Sequence, residues 1–101
     1  MNPREIALKI INDVNTNSAY ANISLAREIK KHELVSEQDR RFITELVYGT
    51  VKAGKTIDWI LGKYLSRPLK KVSPIIQDIL RMGIYQIFFM SKIPPSAACN
   101  Q

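Results

Sequence analysis

Apolar residues recur at three- and four-residue intervals along almost the whole chain, and strand-like alternation is nearly absent. The first stripe is Ile6, Ala7, Ile10, Ile11 and Val14. Ahead of it stand Asn2 as N-cap, Pro3 at the first helical position and Glu5 three residues after the cap, a capping-box start with a preset φ. Glu5 and Lys9 are spaced to pair on the outer face. The cluster Asn15-Thr16-Asn17-Ser18 predicts the end of this helix. A second helix is expected to begin between Ala19 and Asn22, lined by Ile23, Leu25, Ala26 and Ile29 and closed by the charged run Arg27 to Glu33. Ser36 caps a third, with Glu37 and Asp39 in a first turn whose dipole favours acids. Its stripe is Phe42, Ile43, Leu46, Val47 and Val51, and Gly54 stops it. Thr56 is expected to cap a fourth helix with Ile57, Ile60, Leu61, Tyr64 and Leu65 inward, ended from beyond by Pro68.

The fifth helix opens with Ser73 as cap and Pro74 at its first position. Ile75, Ile76, Ile79, Leu80, Ile84, Ile87 and Phe88 form its main stripe, and Met82, Tyr85 and Phe89 a second apolar face. A helix apolar on two sides reads as the central one of a bundle. Gly83 falls on the main stripe, where close approach of a neighbouring helix is the expected reason for it. Lys92-Ile93-Pro94-Pro95-Ser96 reads as a rigid extended link, and Ala97, Ala98 and Cys99 as the first turn of a sixth helix that stops at Gln101. The pattern predicts an all-α bundle of about five helices plus the start of a sixth, cut from something longer. Such a cut is expected to leave Met82, Tyr85, Phe89 and the Ala97/Ala98 stub uncovered. Self-association would follow, by stacking those patches or by exchanging the segment after Pro94-Pro95.

Composition narrows the class. The 101 residues are 46% hydrophobic and 24% charged, one ordinary globular domain. Ile79 to Met90 is the longest apolar run, interrupted by Arg81 and Gln86 and too short to span a membrane. Asn2, Arg4, Glu5 and Lys9 leave no room for a signal peptide in the first ten residues. The single cysteine excludes an internal disulfide and fits a reducing, cytoplasmic setting.

Charge adds direction. Residues 1–50 carry seven bases and seven acids, whereas residues 51–101 carry eight bases against Asp58 and Asp78 and so hold the whole net charge of +6. Six of those bases, Lys52, Lys55, Lys63, Arg67, Lys70 and Lys71, fall between positions 52 and 71. A one-sided positive field concentrates polyanions, nucleic acid first among them. A merely solubilising face is the alternative. Trp59 and Tyr64 are interleaved with these cations. Trp59 lies off the Ile57/Ile60/Leu61 stripe, so it either stacks on a base or covers the edge of the core.

Catalytic patterns do not emerge. The four glycines never approach a phosphate-cradling spacing, and one histidine with one cysteine cannot build a zinc site. His32 lies in a solvated helix end, and Cys99 has no base beside it in sequence. The acids pair locally with bases, Glu37 with Arg40 and Arg41 with Glu45. This segment is expected to have no catalytic residue, no cofactor site and no metal.

Glu45-Leu46-Val47-Tyr48-Gly49-Thr50-Val51, Ile57-Asp58, Arg67-Pro68-Leu69, Ile79-Leu80-Arg81-Met82-Gly83-Ile84-Tyr85-Gln86 and Ile93-Pro94-Pro95-Ser96-Ala97-Ala98-Cys99-Asn100 follow one another in that order. With Arg4, Ala7, Ala21-Asn22, Leu25 and Asp39-Arg40, they make the chain resemble the N-terminal NusB-like domain of the Sun/RsmB (Fmu) type 16S rRNA cytosine-5 methyltransferases. The resemblance covers essentially the whole chain. It implies an all-α NusB-type fold of two small antiparallel helical groups over residues 1–101, a single RNA-binding domain. It implies an accessory role, positioning 16S rRNA for a methyltransferase domain in cis that uses S-adenosylmethionine and lies outside these residues. The readings beside it are a free-standing NusB-like antitermination factor and a helical protein-interaction domain without an RNA role. The candidate RNA contacts are Lys52, Lys55, Lys63, Arg67, Lys70, Lys71 and Arg4. Arg4, Arg40 and Arg81 also match family motif positions, as RNA contacts or as structural ion pairs. For Arg81 the structural role is favoured, with Asp78 one turn earlier as its partner.

Overall fold

In a computed structural model, residues 1–90 are described, and the expected sixth-helix start at Ala97–Cys99 lies outside them. Five α-helices follow one another: α1 (Pro3–Asn17), α2 (Ala21–Lys31), α3 (Glu37–Lys52), α4 (Gly54–Tyr64) and α5 (Pro74–Tyr85). A 3-10 turn, Leu69–Lys71, sits between α4 and α5, and a π-helical turn, Gln86–Met90, follows α5. No strand occurs among the described residues. The all-α bundle is as expected.

The first cap forms as read. The Asn2 side chain accepts from the Glu5 amide at 2.9 Å, and its own amide donates to the Glu5 carboxylate at 2.7 Å. The helix runs through the polar cluster expected to end it and closes at Ser18, whose φ of 57° is left-handed. Side-chain bonds from Asn12 to Thr16 and from Asn17 to Asp13 carry the last turn. Ser36 caps α3 by accepting from the Asp39 amide at 3.0 Å. Thr56 does not cap α4. Ala53 has near-helical angles, φ −88° and ψ 11°, and accepts from the Ile57 amide, so the helix resumes at Gly54. Gly54 therefore opens α4, with Ala53 as the break after α3.

The main core is Ile6, Ala7, Ile10 and Ile11 from α1, Ile43, Leu46 and Val47 from α3, and Met82 from α5. Each such burial is worth roughly 1.5–3 kcal/mol for a large aliphatic side chain. α2 keeps part of the expected face, since Leu25 and Ile29 pack against the main core, but Ser24 and Glu28 are buried beside them. Leu25 and Ile29 are half-buried, and Ile23 and Ala26 are exposed. Lys9 reaches Glu28 at 3.3 Å instead of pairing with Glu5, and Arg27 bonds Asp13 at 2.9 Å. These bridges tie the Ser24/Glu28 side of α2 to α1. His32, expected on a solvated end, is half-buried with Nε2 3.7 Å from the same Glu28 carboxylate.

The rotation of α5 is also corrected. Ile75, Ile76 and Ile79 of the predicted inner stripe are 42–45% exposed, while Met82 is buried and Tyr85 packs on the main core. A polar network fixes this orientation. Asp78, fully buried, accepts from Asn12 at 3.0 Å, Asn15 at 2.7 Å and Arg81 at 2.9 Å. A buried carboxylate must stay bonded, so α5 turns its Asp78/Met82/Tyr85 side to α1 and α3. The π-helical turn at Gln86–Met90 then breaks the α-helical register of the predicted Ile75–Phe88 stripe. Gly83 meets no neighbour, since a Cβ built there finds nothing within 4 Å. Close approach occurs instead at Gly49 of α3, against the Tyr85 ring. α4 packs chiefly on α5, burying Ile57 and Leu61.

Candidate nucleic-acid interface

α4 has two unlike sides. Ile57 and Leu61 hold it to the bundle, while Lys55, Trp59 and Lys63 recur every four residues on the outside. Successive members of that row lie about 6 Å apart along the helix axis. Trp59 is 65% exposed and Tyr64 is 73% exposed. Tyr64 is thus an outward residue, not the core member its spacing suggested: near the last turn of α4 the packed side is carried by Leu61. The Lys63 ammonium lies over the Trp59 ring, 4.7 Å from its centroid, a cation–π contact.

The other predicted cations lie on the segments that flank α4 in the chain. Lys52 is the last residue of α3, one residue before the α3–α4 break. Arg67 lies exposed in the connection after α4, and Lys70 and Lys71 are exposed on the 3-10 turn, which packs back on α4. The turn is built locally: the Lys71 and Val72 amides donate to the carbonyls of Pro68 and Leu69. Among the described residues, none of these six cations enters an ion pair with a carboxylate, whereas Lys9, Arg27, Arg40, Arg41 and Arg81 all do.

The two acids of the second half are already engaged. Arg81 donates to Asp58 at 2.8 and 3.2 Å, to Asp78 at 2.9 Å and to Gln77 at 3.2 Å. Burial works against the Arg81 charge, but Asp58 and Asp78 outweigh it and raise its pKa further. Arg81 is therefore a structural clamp joining α5 to α4 and, through Asp78, to α1. Its use of both acids leaves the six outer cations uncompensated.

Arg4 stands apart from that group. Its Nε donates to the Gln86 side chain at 2.8 Å, and its guanidinium lies 5.2 Å from the centroid of the Phe42 ring. Phe42 and Lys52 are ten residues apart on α3, about 15 Å along the axis. Arg40 pairs with Glu37, as expected. Arg41 also turns to Glu37, at 3.5 Å, and not to Glu45. Glu37 is held below the usual carboxylate range by the Arg40 hydrogen bond above all. Arg4, Arg40 and Arg81 thus all have structural partners.

Residues 1–101 match the NusB family. The chain belongs to that family. It is 38% identical over 97 residues to a protein of Synechocystis sp. named probable ribosomal RNA small subunit methyltransferase B, and 39% identical over 98 residues to the Bacillus subtilis protein of the same name. The Pseudomonas putida ribosomal RNA small subunit methyltransferase B is 32% identical over 101 residues. These matches cover 96–100% of the chain but only 22% of each relative, so the chain spans about a fifth of the curated relatives it matches. No solved structure matches the chain. The expected resemblance to the NusB-like domain of rRNA methyltransferases is borne out. Among the described residues no helix is long and apolar enough to cross a membrane.

Proposed function

We propose that this NusB-family chain is a single RNA-binding accessory domain that positions ribosomal RNA, 16S rRNA by its resemblance, for a methyltransferase domain in cis. The observation that carries the reading is the row of cations on α4 and the 3-10 turn, left uncompensated because Arg81 takes both nearby acids. Lysines and arginines of this kind bond phosphate oxygens and fix orientation without reading sequence. The names of the relatives add the substrate: a small-subunit rRNA methyltransferase must hold structured RNA while a base is modified. S-adenosylmethionine, the methyl donor, would be bound by residues outside this chain, in the cytoplasm where ribosomal RNA is made. Lys52, Lys55, Lys63, Arg67, Lys70 and Lys71 are the proposed contacts, with Arg4 a more distant one.

The test is a salt titration of binding to a fragment of small-subunit rRNA. The logarithm of the association constant should fall with the logarithm of salt concentration, with a slope of about −0.7 per phosphate contact on single-stranded segments. Reversing Lys70 and Lys71 to Glu should weaken binding for all sequences alike and flatten the slope by roughly one to two contacts' worth. Salt-independent binding, or an unchanged double variant, would refute the reading.

A further inference from the structure

Trp59 is the only tryptophan in the chain, and its surroundings suit a ligand better than a core. It follows Ile57 by two residues, about 200° around the helix, which sets it opposite the buried side of α4. At 65% exposure it covers little of the interior. A large aromatic left in water forgoes most of the burial energy that such side chains supply when packed. One ring face carries the Lys63 ammonium at 4.7 Å. Lys55 lies one turn before Trp59, and Gly62, one turn after it, has open space where a Cβ would be. The ring therefore carries one cation, has a second one turn before it on the helix, and faces no side chain from Gly62.

We infer that Trp59, set between Lys55 and Lys63, is a stacking platform for one unpaired RNA base, with the two lysines on the phosphates either side of it. This deepens the proposed RNA reading and rests on it. Every base offers a π-face, so such a platform tolerates any sequence. A duplex keeps its bases stacked on one another, so unpaired nucleotides in loops, bulges and ends are the ligands selected. The nearby Lys63 ammonium, already on the ring, has only a short distance to move to reach a phosphate.

The sole tryptophan makes the test specific. The intact chain is titrated with an unstructured RNA 12-mer, with a blunt RNA duplex of the same sequence and with polyglutamate, reading Trp59 fluorescence and, separately, anisotropy of end-labelled RNA. The expected result is quenching by the single strand and little by the duplex. Trp59→Leu should weaken single-strand binding about tenfold with an unchanged salt slope, and Trp59→Phe should recover part of the loss. Circular dichroism checks that both variants stay helical. Single-strand binding with no quenching and an unaffected Trp59→Leu variant overturns the platform and leaves the RNA-binding function standing. Absence of binding to either RNA overturns both. Equal affinity and quenching with polyglutamate also overturns the platform and points to an acidic protein partner.

Discussion

The ring of Tyr85 on α5 fills the space beside Gly49 on α3 so closely that a Cβ at position 49 would overlap it. Tyr85 is backed in turn by Phe89, stacked with ring centroids 5.3 Å apart and planes 11° from parallel. The α3–α5 contact is therefore set by a missing side chain and an aromatic pair together.

Gly49→Ala should reveal this contact by its sign. In the middle of a helix the change ordinarily gains about 1 kcal/mol. Overpacking against Tyr85 should cost roughly 1–3 kcal/mol and leave the variant less stable overall. For a domain of this size each kcal/mol corresponds to about 4–8 °C in the melting temperature. In a Tyr85→Ala background the clash is gone, and Gly49→Ala should become neutral or stabilising. Thermal melts of the four proteins close the double-mutant cycle. A simple additive outcome would show that the two residues are not coupled.

Arg81 should be worth more than a surface arginine. Its side chain is 16% exposed, and the Asp78 side chain it serves is 1% exposed. Arg81→Met would leave that carboxylate with only Asn12 and Asn15, a loss of about 3–5 kcal/mol by the measure of other broken buried pairs. Asp58, 40% exposed, should matter less, with Asp58→Asn costing about 1 kcal/mol or under. Urea denaturation would rank them. Equal effects at the two sites would mean that Asp78 is not the partner that counts.

Helix number and the starts of α1 and α3 were legible because they are local: Asn2-Pro3 and Ser36 act within one turn, whereas the start of α4 was missed because Ala53 carries the helix on from α3 without a side-chain cap. Rotation of the helices about their axes was not. α5 has more apolar positions than any one neighbour can cover, and the choice among them depends on Asp78 meeting Asn12 and Asn15, more than sixty residues away. α2 keeps Leu25 and Ile29 on the core but also buries Glu28, which Lys9 of α1 meets. Such long-range polar contacts are not encoded in any hydrophobic period. The basic row on α4 was legible as charge in sequence. Its lack of acid partners was not, because that follows from where Arg81 reaches.

Acid should loosen the α1–α2 pair. The Asp13 carboxyl is held below its ordinary pKa by the Asn17 amide first, and by Arg27 and Ser24. A group lowered in the folded state stabilises at pH above its unfolded value, about 3.9, and that contribution is lost as pH falls through the folded value. Stability should therefore decline below about pH 4 and more gently in Asp13→Asn, which carries no titrating group there. Melting temperatures from neutral pH to pH 3 test this, and superimposable profiles would assign the acid sensitivity elsewhere.

Alkali should act through Tyr85. Burial, and then the Glu45 charge, push its phenol above the ordinary value of 10.0. The sign is opposite to that of Asp13: the contribution is complete below the unfolded pKa and disappears as pH rises through the folded one. Tyrosinate absorbance should contain a late step missing from Tyr85→Phe, and wild-type stability should fall more steeply than that of the variant above about pH 10. Loss of the late step in Glu45→Gln would be too large an effect for the second-ranked cause, whereas an earlier step in that variant is expected.

The outward face of α5 should make the chain adhesive. Ile75, Ile76 and Ile79 are 42–45% exposed and Phe88 is 43% exposed, while Asp78 and Arg81, the two charges of α5, are turned inward. A row of exposed isoleucines is the kind of surface that pairs with another like it. Association was expected through Met82, Tyr85 and Phe89, but Met82 is buried and Tyr85 is packed on the main core, so the isoleucine row takes over that role. Light scattering should show concentration-dependent mass growth for the 101-residue chain. Ile76→Lys with Ile79→Lys should abolish it with little loss of stability, because neither side chain is in the core and surface changes usually stay within about 0.5 kcal/mol. Met82→Ala, by contrast, should destabilise by about 2–5 kcal/mol without selectively blocking association. A wild-type chain that stays monomeric at high concentration would show that this row is too small to hold two copies together.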